Sequence, residues 1–208
     1  GLEVSPMERE SFVESFDAVI ATTPSYIFPN LVPTLPKDYL KKLSDVDYLA
    51  AVLIVLVLDR PLSHVYWLNV ADDSIPFVAV IEHTNLISAE HYGGKSIVYL
   101  SNYLTPDSPL YNLSQEELLR EYLPHLRKIN IDFNESWILT SYHHRVRAAQ
   151  PVIPVNYSAR IPGHRTPFKG VYLANTTQIY PEDRGTNYSV KMGKQVAEMV
   201  MRDYDPSS

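Results

Sequence analysis

Apolar residues occur along the chain in short runs that are bounded by prolines, glycines and polar turns. The longest run, residues 48–58, reads YLAAVLIVLVL and ends at the turn DRP. Because β-branched residues are frequent in this run, we expect a core strand in the interior of a sheet rather than a helix. Shorter apolar runs follow at residues 65–68, 77–81 and 96–100, with turn residues between them. This spacing predicts an antiparallel meander.

The middle of the chain also contains a helix signature. Residues 114–117, SQEE, have the sequence of a capping box, and apolar residues continue from it at helical spacing. We therefore predict a helix from this point to about Leu126, ended or kinked by Pro124. Residues 38–43 are expected to add one or two helical turns, and residues 136–147 a further strand.

A strand and a helix joined by a polar loop are predicted near the C-terminus. Residues 171–174 form a brief apolar run after Gly170, and apolar residues recur at helical spacing from Val190 to Val200. Asn187 or Ser189 is expected to cap that helix. A capped helix start presents backbone N–H groups and a positive dipole end, which suit an anionic or electron-rich ligand. We therefore expect a binding site at this loop.

Near the N-terminus, residues 16–24 read FDAVIATTP, which is a short buried-strand pattern ended by proline. Taken together, the patterns predict an α+β protein with a mixed, largely antiparallel sheet and helices on one side of it.

Composition narrows the class of protein. Hydrophobic residues make up 45% of the 208 residues, charged residues 20%, and the net charge is −6, which indicates a globular chain without affinity for nucleic acid. No apolar run approaches the roughly 20 residues that a membrane-spanning helix needs. The sequence has no cysteine, which excludes disulfides and thiolate metal sites and favours a cytoplasmic location. Its seven histidines include no HxH or HxxxH pair, so no metal site is predicted.

Three stretches resemble one superfamily of flavoenzymes. They are residues 16–24, residues 147–157 and residues 170–200, the last containing GVYLA and SVKMGKQVA. These segments are similar to parts of the amine oxidase, protoporphyrinogen oxidase and phytoene desaturase superfamily. The resemblance implies FAD as the cofactor. It also implies that the strands near residues 18–22 and 170–174 lie together, apart from the main sheet, as a strand and helix remnant of a dinucleotide-binding domain.

The same resemblance implies how the chain is organised. Residues 1–24 would be a remnant of the FAD domain and a crossing strand, residues 25–160 the substrate-binding domain, and residues 161–208 the flavin-contacting strand and helix. The fingerprint GxGxxG that holds a pyrophosphate does not occur in the sequence. We therefore expect an FAD-binding region upstream of Gly1 in a longer parent protein to be the partner of this chain, and the chain alone to be inactive.

Candidate site residues follow from the resemblance and from polar and aromatic positions near strand ends. The expected cofactor contacts are Asn175, Arg184, Gly185, Thr186, Asn187, Tyr188, Ser189 and Val190. The expected contacts to a small-molecule substrate are Trp67, Glu82, His83, Tyr103, Gln150 and Tyr157. No catalytic residue is predicted, because the flavin itself would carry the redox chemistry.

These observations favour part of an FAD-dependent oxidoreductase that supplies the substrate-binding domain and part of the flavin site. Two alternatives stay open. One is an enzyme like UDP-galactopyranose mutase, in which reduced flavin acts without net oxidation. The other is a non-catalytic α+β binding module whose exposed aromatic side chains recognise a partner.

Overall fold

A computed structural model describes residues 2–7, 10–32 and 34–205. The strands are β1 (Leu2–Val4), β2 (Phe12–Glu14), β3 (Val19–Ala21), β4 (Tyr48–Leu58), β5 (Trp67–Asn69), β6 (Ala79–Glu82), β7 (Ser96–Leu104), β8 (Ile138–Pro151) and β9 (Val171–Leu173). The α-helices are α1 (Phe28–Leu31), α2 (Lys37–Ser44), α3 (Pro109–Asn112), α4 (Gln115–Tyr122) and α5 (Thr186–Asp203). The chain forms two compact units: unit 2 is residues 48–150, and unit 1 is the chain before and after it.

Unit 2 is built on a five-stranded sheet in which the strand order is β5-β6-β7-β4-β8. The β5/β6, β6/β7 and β7/β4 pairs are antiparallel, which confirms the predicted meander for β5 to β7. β4 has a neighbour on each side, as its apolar sequence predicts, although β7 occupies the central position. The fold class is α+β, with a largely antiparallel sheet.

One face of this sheet forms the core of unit 2. Every second residue of β4 from Ala50 to Leu58 is fully buried, and Val98 and Leu100 of β7 are buried beside them. Leu118 and Tyr122 of α4 pack against this face, together with the 3₁₀ turn Leu123–Lys128. The intervening residues of β4 and β7 lie on the opposite face and are not among the residues of this core.

Helix α4 begins as the sequence predicts. The Ser114 hydroxyl accepts a hydrogen bond from the Glu117 backbone N–H, and the Glu117 carboxylate accepts one from the Ser114 N–H, which completes the capping box. The α-helix ends at Tyr122 and continues as a 3₁₀ turn that contains Pro124. Proline therefore ends the α-helix, since it cannot donate to the helical hydrogen-bond pattern.

Unit 1 is organised around a short parallel sheet. β3 pairs with β9, with Val19 opposite Val171 and Ala21 opposite Leu173, which confirms that the two predicted strands lie together in a sheet separate from that of unit 2. β1 and β2 form a separate antiparallel pair. Parallel strands are normally covered on both faces, and this is also true of the β3/β9 pair.

Helices cover the two faces of the β3/β9 pair. On one face, Leu173 packs in a cluster with Phe28 of α1 and with Tyr39 and Leu43 of α2. On the other face, Tyr172 packs in a cluster with Met192 and Val196 of α5. Residues 25–47 therefore belong to unit 1, because the apolar side chains of α1 and α2 bury themselves against β9. The functional domain bounds expected from the sequence stay a prediction.

The C-terminal end of α5 is fastened to β9. The Arg165 guanidinium donates hydrogen bonds to both carboxylate oxygens of Asp203, at 2.8 and 2.6 Å, and the Tyr172 hydroxyl donates to the same carboxylate at 2.8 Å. Arg165, and then Tyr172, hold the pKa of Asp203 at about 2. Burial, followed by the bond to Asp203, raises the pKa of Tyr172 to about 12.

The side chain of Tyr204, at the C-terminal end of α5, lies close to the backbone of Gly170. The Tyr204 hydroxyl donates a hydrogen bond to the Asp17 carbonyl oxygen, and a Cβ atom at Gly170 would lie 2.8 Å from that hydroxyl. Gly170 also has a φ of 81°, a conformation that disfavours residues with a Cβ. The C-terminal end of α5 thus lies at the amino ends of β3 and β9, so α5 runs back toward their carboxyl ends.

Replacing Asp203 by Asn should remove a pH-dependent part of the stability. The folded-state pKa of Asp203 is depressed, so its stabilising effect is complete above the unfolded value of 3.8 and is lost as the pH falls toward about 2. We expect the wild-type chain to melt at a higher temperature than Asp203→Asn at pH 6, and the difference to disappear near pH 2.

Thermal unfolding followed by circular dichroism between pH 6 and pH 2 measures this difference. Asp73→Asn, at an exposed position in unit 2, is the control and should show no such convergence. A difference between Asp203→Asn and wild type that stays constant across this range would contradict a role for the ionised Asp203 carboxylate.

Candidate functional site

The carboxyl ends of β3 and β9 meet at one edge of unit 1, where a buried polar network ties them together. The Asn175 side-chain nitrogen donates to the Thr23 carbonyl oxygen at 2.9 Å and to the Ser25 hydroxyl at 3.2 Å. Its side-chain oxygen accepts from the backbone N–H and hydroxyl of Thr177, at 3.1 and 2.6 Å. Asn175 is 5% exposed. Its amide therefore fixes the turn after β9, and it acts in the candidate site as a positioning residue.

Two further bonds complete this network. The Gln178 side chain accepts a hydrogen bond from the Asn175 N–H at 2.9 Å, so residues 175–178 form a capping box for the 3₁₀ turn Thr176–Gln178. The Tyr157 hydroxyl donates to the Thr177 carbonyl oxygen at 2.6 Å, and the Tyr157 side chain is fully buried. The sequence predicted Tyr157 as a substrate contact, which stays a prediction; in the structure its hydroxyl is bonded within the chain beneath the turn.

Sequence reasoning missed most of this network, although a signal was present. The letters NTTQ at 175–178 match the Asn/Ser-x-x-Gln/Glu pattern of a capping box, and ATTPS at 21–25 places hydroxyl residues directly after β3. Within this edge the Thr23 side-chain oxygen is buried and has no hydrogen-bond partner among the described residues.

The N-terminus of α5 belongs to the same end of unit 1. Gly185 is the N-cap residue, and no side-chain hydrogen bond caps the helix. The first turn contains no acidic residue. The first intrahelical bond runs from the Ser189 N–H to the Gly185 carbonyl oxygen at 2.9 Å. The predicted cap at Asn187 or Ser189 is therefore wrong: the helix starts earlier, and Ser189 lies one turn inside it. The N–H groups of Thr186, Asn187 and Tyr188 have no acceptor within the helix.

A side chain also lies close to the backbone at the start of α5. A Cβ atom at Gly185 would lie 2.5 Å from the Asn187 side-chain oxygen, so this oxygen lies directly against the Gly185 backbone. Val190 is 68% exposed at the beginning of the second turn. The Arg184 N–H donates to the Asp183 carboxylate at 2.8 Å, just before the N-cap. N–H groups without an acceptor in the helix and a first turn without acidic residues together form a site suited to an anionic or electron-rich ligand.

Comparison with known protein families identifies the family of this chain. The family model described as flavin containing amine oxidoreductase matches residues 6–201. The chain belongs to this family. No match was found among curated protein sequences.

Solved structures agree with this family assignment at the level of the fold. A putrescine oxidase superposes with a TM-score of 0.68 at 14% identity, covering 89% of this chain and 43% of that protein. A candidate protoporphyrinogen oxidase from Exiguobacterium sp. 255-15 gives 0.66 at 16% identity, covering 89% of this chain and 41% of that protein. A reduced UDP-galactopyranose mutase gives 0.57 at 15% identity, covering 76% and 34%. The chain thus spans less than half the length of these members of the fold.

The substrate contacts predicted in unit 2 fall into two groups. Trp67 is 53% exposed and Tyr103 is 42% exposed. Trp67 pairs with Ile81, which pairs with Tyr99, so these side chains share the sheet face opposite the α4 core with Tyr103. His83 follows β6 and shares a 2.7 Å hydrogen bond with the Tyr92 hydroxyl. The structure therefore provides an aromatic surface on the face that the α4 core leaves uncovered.

Glu82 has a structural role at the turn after β4. It is fully buried, and its carboxylate accepts hydrogen bonds from the Leu62 N–H at 2.9 Å, the Ser63 N–H at 2.6 Å and the Ser63 hydroxyl at 3.0 Å. The substrate contact expected from the sequence stays a prediction. Gln150 is half-buried near the end of β8 and stays a prediction.

His143 and His144 are adjacent residues of β8. No group of three side chains suited to hold a metal ion occurs among residues 2–7, 10–32 and 34–205. Burial, and then the charge of Arg145, lower the pKa of His143, and its Nε2 atom is buried. Across the same residues, no helix combines the length and the apolar composition that crossing a membrane requires.

Replacing Glu82 by Gln should destabilise unit 2. The amide would present its NH₂ group to N–H donors in a buried site, and leaving buried donors unsatisfied costs about 1–3 kcal/mol. We expect the free energy of unfolding, measured by urea denaturation, to fall by about that amount. Glu121→Gln, on the exposed side of α4, is the matched control and should change it by less than about 0.5 kcal/mol. Equal stability of the two variants would contradict the structural role of Glu82.

Proposed function

We propose that this chain is part of an FAD-dependent oxidoreductase and supplies its substrate-binding region and part of its flavin site. The observation that carries the proposal is the convergence, at one end of unit 1, of the carboxyl ends of two parallel strands with an uncapped helix N-terminus. In open α/β sheets, ligands bind outside the carboxyl ends of parallel strands. Membership of the flavin containing amine oxidoreductase family supports FAD as the ligand.

The residues at this edge fit the cofactor. The N–H groups of Thr186, Asn187 and Tyr188 are donors without an acceptor in the helix, and they suit the carbonyl oxygens and ring nitrogens of a flavin. Asn175 would not touch the flavin and would hold β3 and β9 in place. When bound, FAD supplies the redox chemistry by accepting a hydride equivalent from a C–N or C–C unit of the substrate.

We assign substrate binding to the aromatic face of the unit 2 sheet. Trp67, Tyr99 and Tyr103 offer flat apolar surfaces there, and the His83–Tyr92 pair adds a polar group at the end of β6. Binding sites for small molecules are mostly apolar and contain a few polar groups that fix orientation. The chemistry of this surface suits a small molecule with an apolar body and a single polar group.

The isolated 208-residue chain should bind FAD weakly or not at all. A pyrophosphate is normally held by a glycine-rich turn at a helix N-terminus, and the chain contains no GxGxxG sequence to form one. We expect the purified chain to be colourless and isothermal titration with FAD to show no tight binding. Stoichiometric, tightly retained FAD would contradict the proposal that the rest of the parent protein supplies the pyrophosphate site.

Replacing Asn187 by Asp in the full-length parent should lower the reduction potential of its flavin. The change places a negative charge in the first turn of α5, where it opposes the negative charge that reduction adds to the flavin. The typical interaction of one charge with a helix terminus corresponds to a change of roughly 10–20 mV in the reduction potential of a two-electron couple. A redox titration against a reference dye measures the shift.

A second substitution on the same helix controls for the added charge. Gln195→Glu also adds a carboxylate, at an exposed position two turns further along α5. It should leave the potential within error of wild type. If α5 had no role at the flavin, Asn187→Asp would stabilise the helix start without shifting the potential, and that result would reject the proposed cofactor contact.

A further inference from the structure

The two edges of the β3/β9 sheet differ in how their backbone hydrogen bonds are satisfied. On the edge formed by β9, the Leu173 N–H donates to the His164 carbonyl oxygen at 2.9 Å. The Val171 carbonyl oxygen accepts a hydrogen bond from the Thr166 N–H at 3.3 Å. Residues 164–166 therefore close this edge of the sheet.

The opposite edge, formed by β3, is open. The Val19 N–H donates to the Gly170 carbonyl oxygen at 2.8 Å, and the Ala21 carbonyl oxygen accepts from the Ala174 N–H at 2.9 Å. Because alternate residues of a strand bond to the same neighbour, the N–H and C=O groups of Ile20 point away from β9. Within the part of the chain that the structure describes, β9 is the only strand that pairs with β3, and these two groups have no backbone partner.

The side chain of Ile20 also lacks cover. Ile20 is opposite Tyr172 in the ladder, so both side chains lie on the face that α5 packs against. Tyr172 is buried there, whereas Ile20 is 41% exposed. Free strand edges usually carry charged residues, proline or a bulge, which prevent pairing with another chain. Ala18, Ile20 and Thr22 provide no charge at this edge, so its composition is that of a strand with a neighbour.

Exposed apolar side chains continue from β3 toward the N-terminus. Phe12 is 48% exposed, Val13 is 72% exposed and Phe16 is 52% exposed. Phe12 and Val13 belong to the β1/β2 pair, and a two-stranded antiparallel pair is at best marginally stable by itself in water. Apolar side chains that lie together on a surface mark a site of interaction with another protein segment.

We propose that a strand of the parent protein's upstream region pairs with the free edge of β3, parallel to it, and that the segment connected to this strand covers Ile20. This inference rests on the proposed function, which assigns an FAD-binding region to that part of the parent. The chain spans less than half the length of the solved structures that share its fold, so those proteins contain enough further chain to supply a strand. The parallel direction follows from Ile20, because parallel strands need a crossover connection, and that connection covers a face of the sheet.

Hydrogen–deuterium exchange at single-residue resolution in the full-length parent tests the pairing. We expect the N–H groups of Val19, Ile20 and Ala21 all to exchange slowly, with the rate of Ile20 within about tenfold of that of Val19. Slow exchange at Val19 and Ala21 with rapid exchange at Ile20 would overturn the inference. If that protein contained bound FAD, the proposed cofactor site would still stand, whereas a parent protein that binds no FAD would contradict the proposed function instead.

A photoreactive side chain in the full-length parent identifies the neighbour of β3. With p-benzoylphenylalanine in place of Ile20, irradiation should crosslink position 20 to a peptide upstream of Gly1. The same replacement of Ile131, which is 81% exposed in unit 2, is the control and should not crosslink to that peptide. A crosslink from position 20 to residues 1–208, in the same copy or in a second copy, would overturn the inference, and so would the absence of any crosslinked peptide.

Discussion

The parallel pairing of β3 with β9 is the contact on which the candidate cofactor site depends. Asn175, just after β9, and Thr23, just after β3, are separated by 152 positions in the sequence, and all of unit 2 lies between them. Each strand contributes only three residues to the pair. Such a short parallel sheet is not stable by its backbone bonds alone, so its stability comes from the apolar clusters on its two faces and from the buried amide of Asn175.

This pairing also determines where the remaining site elements lie. Because Arg165, Asp203 and Tyr172 fix the C-terminal end of α5 at the amino end of β9, the start of α5 extends toward the carboxyl ends of both strands. A helix of 18 residues is about 27 Å long, whereas each strand spans about 10 Å. The uncapped N–H groups of the helix are thereby held at the edge where a ligand would bind. The hydrogen bonds of Asp203 that fix α5 therefore lie at the opposite end of the helix from the candidate site.

Local signals in the sequence predicted the elements of the fold well. The bounds of β4 follow directly from a run of apolar, β-branched residues, and the capping box at Ser114 marks the start of α4 without any tertiary information. The pairing of β3 with β9 was predicted from a family resemblance, because no pattern of spacing identifies a partner strand so far along the chain. That residues 25–47 belong to unit 1 could not be read from the sequence, because the burial of α1 and α2 against β9 is a tertiary property.

The role of a single side chain is harder to predict from the sequence, for a similar physical reason. Glu82 and Tyr157 are polar or aromatic residues beside turns, which is also where ligand contacts occur, and only the structure shows that their polar atoms are used within the chain. The start of α5 was placed too late because Gly185 caps it without a side-chain bond, which leaves no residue-specific signal. In contrast, Trp67 and Tyr103 are exposed, as a role in binding requires.

Hydrogen–deuterium exchange of the full-length parent, with and without FAD, tests the central claim most directly. The N–H groups of Thr186, Asn187 and Tyr188 have no acceptor in α5, so they should exchange rapidly in the FAD-free protein. The account predicts that FAD slows exchange at these three positions and leaves the first turn of α4 unchanged. Unchanged exchange at all three positions, in protein whose absorbance shows full FAD occupancy, would contradict the assignment of this helix start to the flavin site.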